Sequence, residues 1–433
     1  MNKELRRKKL EEISKNAEPY MTGIRIKYDN QIKEFNVYKI PLKYLVYNKY
    51  NGRIGSAVKS FEKQYRELDL ENEKDKKRIE EYLWLSKVPR NKTTMKSLAE
   101  DGQQRYGIVT NDGIIIDGNR RACLLNRIYN SRDEYKGDVD HCQYFIAVIL
   151  PKNATKKEIL KLETSYQMGE DEKLDYNPIE KYIKCDDLIY EGFSIGDIAK
   201  MMGESKKQIE EWLSIFEIMK KYLDYLEYDG IYTCLDKREG QFVDINNYLK
   251  KYAERKQNAN WSYEDDDIAD LETVCFDYIR AQYEGKDFRN IAKTGRDENS
   301  SIFCNKKIWD LFVNRHFDEL EKISEESPDQ FRKKNPEYEL TRLYEERDKK
   351  WKNDSFNVLE NNLRYSSRKL DDIRESKEPL KLLKKAKDCL EFIDTDVESF
   401  YSDENALNLI KEINKITWEF KQIIKYKGRS KNE

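Results

Sequence analysis

Ile114-Ile115-Ile116-Asp117-Gly118-Asn119-Arg120-Arg121-Ala122-Cys123-Leu124-Leu125 reads as an apolar strand, a glycine turn and the opening of a helix. Gly118 turns the chain and lets a ligand approach the backbone closely. The helix start offers N–H groups without intrahelical partners, and two guanidinium forks follow at once. That combination suits an anion. On spacing alone, Arg120 and Arg121 fit ordinary surface ion pairs equally well.

Working outward, Tyr106 to Thr110 reads as a strand, Asn111-Asp112-Gly113 as a turn, and the helix after Arg121 runs to about Tyr129. Tyr144 to Leu150 is a further strand, ended by Pro151. Upstream, Ile24 to Tyr28 and Phe35 to Ile40 flank Asp29-Asn30 with the alternation of a hairpin. Between them lies a charged stretch, Lys59 to Leu85, punctuated by Phe61, Tyr65, Leu68, Ile79, Leu83 and Trp84, which reads as a helical insertion at about 56–92. From Thr155 the signals are almost wholly helical, with an irregular join expected at Asp229 to Asp244. The expected class is therefore α+β: a small mixed α/β domain over 1–153, a helical domain over 154–228, and a helical C-terminal region over 229–433.

The 433 residues carry 81 Lys and Arg against 83 Asp and Glu, so no whole-chain field draws the protein onto a polyanion; any nucleic-acid contact must come from a local patch. No run is long and apolar enough for a membrane span, and the basic start at Arg6 to Lys9 lacks the apolar stretch of a signal peptide, so a cytoplasmic protein is expected. Seven scattered cysteines without a C-x-x-C pair suit free thiols. His141 and His316, far apart in sequence, leave little material for a zinc hydrolase or a serine triad.

Within the second region, Ser194-Ile195-Gly196-Asp197-Ile198-Ala199-Lys200-Met201-Met202-Gly203 and the following stretch to Trp212 fit a helix-turn-helix. Ala199 sits where the helices cross, Gly203 makes the turn, and Ile198, Met202, Ile209 and Trp212 form the shared core. Ser205 is the expected N-cap, and Ser205, Lys206, Lys207 and Gln208 form the face such motifs present to a major groove. A purely structural helical hairpin is the alternative, and Glu204, Glu210 and Glu211 weaken the patch. The run Glu264 to Asp267 reads as a solvated charge run before it reads as a metal site. Leu380 to Ile424 resembles a helical hairpin whose apolar faces, including Leu383, Leu390, Ile410 and Trp418, are expected to bury within their own domain, with a self-contact as the alternative.

Asp117-Gly118-Asn119-Arg120-Arg121-Ala122 resembles the G-x-R-R box of the ParB/sulfiredoxin superfamily, in which this turn holds a nucleoside triphosphate. Leu162-Glu163, Gln167 and then Asp175-Tyr176-Asn177-Pro178-Ile179-Glu180-Lys181 resemble that family's E-N-x-x-R and D-L-N-P-x-E stretches. The resemblance implies a magnesium-holding role for Glu163. Thr164 stands where the family has Asn, and extra residues including Met168 to Glu172 separate the halves. Asn48-Lys49-Tyr50-Asn51-Gly52-Arg53 resembles the N-x-x-x-x-R segment, which implies a place for Arg53 near the nucleotide or the DNA-loading surface. Ser97 to Gly102 resembles the S-I-x-x-x-G helix end without the following Pro. Asn119 occupies the place where sulfiredoxin has its cysteine, and Cys123, one turn on, suits the core.

Asp101-Gly102-Gln103-Gln104-Arg105 reproduces a string of restriction-associated NTPases, but Tyr106 follows it as a strand and not as a helix, so the string reads as a turn; Gln104 and Arg105 stay candidates for lining the same pocket. The resemblance, which covers about 36–220, implies a nucleotide-binding, DNA-associated protein. CTP or another nucleotide and Mg2+ are its expected cofactors, slow hydrolysis a possible activity, and DNA and a second copy its expected partners. The alternative is a nuclease or NTPase component of a phage-defence or mobile-element system. An adaptor role for the helical tail is a third.

Overall fold

The computed structural model describes residues 1–28, 31–135, 137–152, 154–168 and 177–429. The Asp29-Asn30 turn, Asp175-Tyr176 and most of the Met168 to Glu172 stretch lie outside the described residues. The chain forms two compact units, Met1–Ser366 and Ser367–Glu433.

The first unit opens with helix α1 (Lys3–Asn16), capped by the Asn2 side chain, and continues into β1 (Met21–Tyr28) and β2 (Gln31–Pro41), which pair antiparallel as the alternation predicts. After β3 (Val46–Tyr47) come α2 (Gly55–Gln64), α3 (Glu73–Leu85) and α4 (Val88–Asp101). Then follow β4 (Gly107–Val109), β5 (Ile114–Asp117), α5 (Asn119–Asn130) and β6 (Tyr144–Ile149). The six strands form one mixed sheet in the order β1-β2-β6-β4-β5-β3, with β4 and β6 parallel and β3 and β5 parallel. This is the α+β architecture expected.

The strand period of two sorts neighbours to opposite faces. Tyr38, Val109, Ile115 and Ala147 pack with Leu98 of α4 and with Ala122, Leu125 and Ile128 of α5. Their neighbours Val37, Ile108, Ile116 and Val148 face the other way, against Leu162 of α6 (Lys156–Met168). The inserted helices do more than cover the surface: Ile79 and Leu83 are fully buried with Ile54, Val58 and Cys123. Burial pushes the Cys123 thiol up to about 12, which removes thiolate and fits the expected core role.

Helix α7 (Pro178–Tyr190) starts with Asn177 as cap and Pro178 in its first turn. Next come α8 (Ile195–Met202) and α9 (Lys206–Tyr225), joined through Gly203 at φ +63°, a left-handed conformation that glycine adopts without strain. Ser205 caps α9 through the Gln208 N–H at 3.1 Å, and Ile198, Ala199, Met202 and Ile209 are buried together with Trp212 against them. The helical pair expected from the sequence is present in this detail.

Helix α10 (Glu239–Ala253) takes over the second half of the join expected to be irregular, because Phe242, Ile245 and Tyr252 supply a buried stripe. The first unit continues through α11 (Asp265–Arg280), α12 (Gly285–Ala292), α13 (Lys306–Leu320) and α14 (Pro328–Lys334) into α15 (Leu340–Glu391). The acidic run closes the start of α11, where the Glu264 N–H donates to Asp267 Oδ2 at 2.7 Å.

In the second unit lie the end of α15, α16 (Glu398–Ser402) and α17 (Glu404–Arg429). The apolar faces expected to bury there are open: Leu380 and Trp418 are each 60% exposed, and Ile424 is 66% exposed. Their own unit offers too little surrounding structure to cover them. Pro379 lies inside α15, so the helix runs through the point where a separate hairpin was expected to begin. Among the described residues, no helix is long and apolar enough to cross a membrane.

Candidate functional site

The strand-turn-helix of β5 and α5 forms as its sequence suggests, and the turn depends on Gly118. Its φ of +94° lies in the left-handed region, and a Cβ there would meet Phe145 Cζ at 2.7 Å. Because the cap residue is glycine, no cap side chain occupies the first-turn N–H groups of α5.

Each side chain of the motif then has a distinct placement. Asn119 is 1% exposed and structural: its Oδ1 accepts the Asn48 N–H at 2.8 Å, while its Nδ2 donates to the Ile115 carbonyl at 2.7 Å. This pins the segment leading to Arg53 against the turn. Arg121 is a brace. Its Nη1 donates to the carbonyls of Arg105 and Tyr106 at 2.6 and 3.2 Å, and its Nη2 meets Asp117 Oδ2 at 2.8 Å. The guanidinium therefore ties the start of β4 to the end of β5, and Asp117 and the Arg105 backbone serve that brace.

Arg120 points to α4 instead, donating from Nη2 to Thr94 Oγ1 at 3.0 Å, and Thr94 donates in turn to the Arg90 carbonyl at 2.9 Å. Lys87 stands at the N-cap of the same helix. Partial desolvation, then Arg90, Arg53 and Arg120, push the Lys87 ammonium below its ordinary range. Arg53, Arg90 and Arg120, from three segments, thus all act on Lys87, and Arg120 belongs to the first turn of α5. Lys87 and Arg90 were not singled out from the sequence. Their Lys87-Val88-Pro89-Arg90 stretch sits in a charged insertion and carries no signal beyond its charge.

Gln104 lies apart from this cluster. Its amide donates to the Asp101 carbonyl at 2.7 Å, and it lines a separate cleft with Tyr106, His141 and Tyr144. Gln103 makes the turn of that string, donating to the Arg105 and Ile146 carbonyls and accepting the Ile146 N–H at 2.9 Å. The reading of Asp101 to Arg105 as a turn into a strand agrees with this.

Glu163 is 1% exposed on α6. Its Oε2 accepts from Lys184 Nζ of α7 at 3.1 Å, and its Oε1 has no hydrogen-bond partner, with the Asn48 side chain beside it. Burial pushes the carboxyl up, against the pull of Lys184 and then Asn48. An orphaned buried carboxylate oxygen next to the turn-bound segment fits a hard cation. Among the described residues, no group of three or more His, Cys, Asp or Glu is placed to hold a metal ion.

Glu180 of α7 caps α2, accepting the Ser56 N–H at 3.1 Å together with the Ser56 hydroxyl just after Arg53. Burial outweighs these bonds and pushes its carboxyl up from 4.5 to about 7. Between those values the native state keeps a proton that the unfolded chain has released, so stability falls as pH rises from about 4.5 to about 7, by on the order of 3 kcal/mol in all. Urea midpoints at pH 5 and pH 8 should show this fall, and Glu180→Gln should flatten it. An equally steep fall in the variant would assign it to other groups.

Ser205, Lys206 and Lys207 are exposed at the start of α9, and Gln208 is half-buried with its amide 3.4 Å from Glu211 Oε2. They form their own face, on a different segment from the cationic cluster.

No family model matches the chain, and no curated protein matches it. Among solved structures similar to this chain is a ParB protein. The C-terminally truncated chromosome-partitioning protein ParB from Caulobacter crescentus, complexed with CTP-gamma-S, aligns over 51% of this chain and 97% of its own, at 14% identity and a TM-score of 0.17.

Proposed function

We propose that this chain is a nucleotide-binding, DNA-associated protein in which a nucleoside triphosphate, CTP or another, sits at the start of α5 and changes how α8 and α9 engage DNA. The observation that carries the reading is the grouping of Arg53, Arg90 and Arg120 around Lys87, with Arg120 in the first turn of a glycine-capped helix whose turn is tied to the segment leading to Arg53. Three phosphates bring several negative charges, and guanidinium forks with first-turn N–H groups answer them directly. In this reading Arg53 and Arg120 hold phosphate oxygens, while Arg121, Asp117 and Asn119 shape the turn, and Arg105 contributes its carbonyl to the brace.

Magnesium, when bound, supplies a hard cation that offsets phosphate charge, and Glu163 Oε1 is the group that would hold it. At the other surface, Ser205, Lys206, Lys207 and Gln208 meet the groove and backbone of DNA. The chain's net charge of -2 gives no general attraction, so these local charges must do the work.

A titration panel of nucleoside tri-, di- and monophosphates, with and without DNA and magnesium, tests the reading. Triphosphate binding that weakens as phosphates are removed, and a DNA affinity that changes with triphosphate, are the expected results. A chain that binds no nucleotide in any of these conditions would end it.

A further inference from the structure

A cleft of about 860 Å³ opens between the end of β1, the first turns of α6 and one side of α8. Lys27, Lys157, Lys161 and Lys200 are among its walls. Lys27, Lys157 and Lys200 are exposed and Lys161 is half-buried. The two acids on the same walls are engaged locally. Glu158 accepts from the Thr155 N–H and hydroxyl at 3.1 and 2.9 Å, and Asp197 accepts from the Ser194 N–H and hydroxyl at 3.3 and 2.6 Å. Both carboxylates thus close helix caps, while Lys27, Lys157 and Lys200 stand exposed along the same walls among the described residues.

Two further observations extend this charge toward α9. Lys157 Nζ stands 4.7 Å from the Phe193 ring centre, beside α8. The Ser194 hydrogen bonds, with Lys200 and Lys157 adding to them, hold the Asp197 carboxyl below its ordinary range, so both lysines act on the first turn of α8. Lys206 lies back over the same helix: a Cβ at Gly196 would sit 3.3 Å from its Cε and 3.7 Å from its Nζ. Gly196 and Lys200 are four residues apart and share a helix side, so the cationic surface is continuous from the start of α9 into the cleft.

We propose that this cleft binds the phosphate backbone of the DNA duplex that the start of α9 engages, carrying the contact from α9 across α8 to the sheet. The proposal rests on the DNA reading above. Lysine is a point charge on a flexible stem, without the planar fork that reads base edges, so the cleft would position the duplex and leave sequence to α9.

The experiment uses the full chain, a labelled duplex and anisotropy titrations over a series of salt concentrations. The variants are Lys27→Gln/Lys157→Gln/Lys200→Gln and, separately, Lys206→Ala/Lys207→Ala. The triple variant should bind more weakly, with a salt slope shallower by about three units, one for each lost phosphate contact, and an unchanged thermal midpoint. If it keeps the parent's affinity and slope while the double variant loses both, the cleft proposal falls and the DNA reading stands. If the triple variant loses binding and the double does not, the cleft holds DNA without α9, and the continuous contact from α9 across α8 falls. A parent that binds no duplex, with or without nucleotide, overturns both.

Discussion

Glu163→Gln is expected to lower the unfolding free energy by about 3–5 kcal/mol, the range for breaking a buried ion pair from one side. Glu163 and Lys184 pair at 3.1 Å, with side chains 1% and 6% exposed, so removing the carboxylate leaves a buried ammonium without the acceptor it donates to. The remaining amide keeps the shape and only a dipole. Urea unfolding at neutral pH measures the loss. Glu163→Gln/Lys184→Met should recover most of it, because an apolar chain of similar length removes the stranded charge along with its partner. A single variant as stable as the parent would contradict the pairing. This also decides how the metal role must be tested: a weakened magnesium response in Glu163→Gln alone mixes lost folding with a lost ligand, whereas the double variant separates them.

The parts of the fold legible in the sequence are those set by short-range rules. Ile115 and Ile116 face opposite sides of the sheet because strand neighbours alternate, and Ser205 caps α9 because a hydroxyl there reaches the third N–H of the helix. The turn at Gly118 was readable for the same reason. The brace made by Arg121 was not. Arg121 finds its carbonyl acceptors on the approach to β4, 15 and 16 residues back, and only the folded sheet brings them to the guanidinium. Glu180 meets Ser56 across 124 residues, so its capping of α2 has no local signal either. Lys87 and Arg90 were hidden by composition, since a cation inside a charged insertion looks solvated until α4 is seen to pack on α5. The open apolar faces of α15 and α17 show the opposite error. A helical period specifies which residues share a side but not whether anything covers that side.

Loss of nucleotide binding on removing Arg53 or Arg120 is the second large effect expected, and it separates phosphate contact from support of the turn. A hydrogen bond to a charged group contributes about 1.5–3 kcal/mol, which corresponds to roughly 10- to 100-fold in affinity for each arginine. Arg53→Ala and Arg120→Ala should each weaken triphosphate binding by that factor, with thermal midpoints near the parent's, and the double variant should lose more than either. Arg121→Ala should behave differently. It removes the brace between Asp117 and the carbonyls of Arg105 and Tyr106, so its thermal midpoint should fall along with its affinity. The most direct measurement is therefore isothermal titration of the triphosphate into the parent and these variants, beside their melting curves. The account predicts that Arg53→Ala and Arg120→Ala lose affinity at unchanged stability. Parent-like affinity in both would contradict it, whatever Arg121→Ala does.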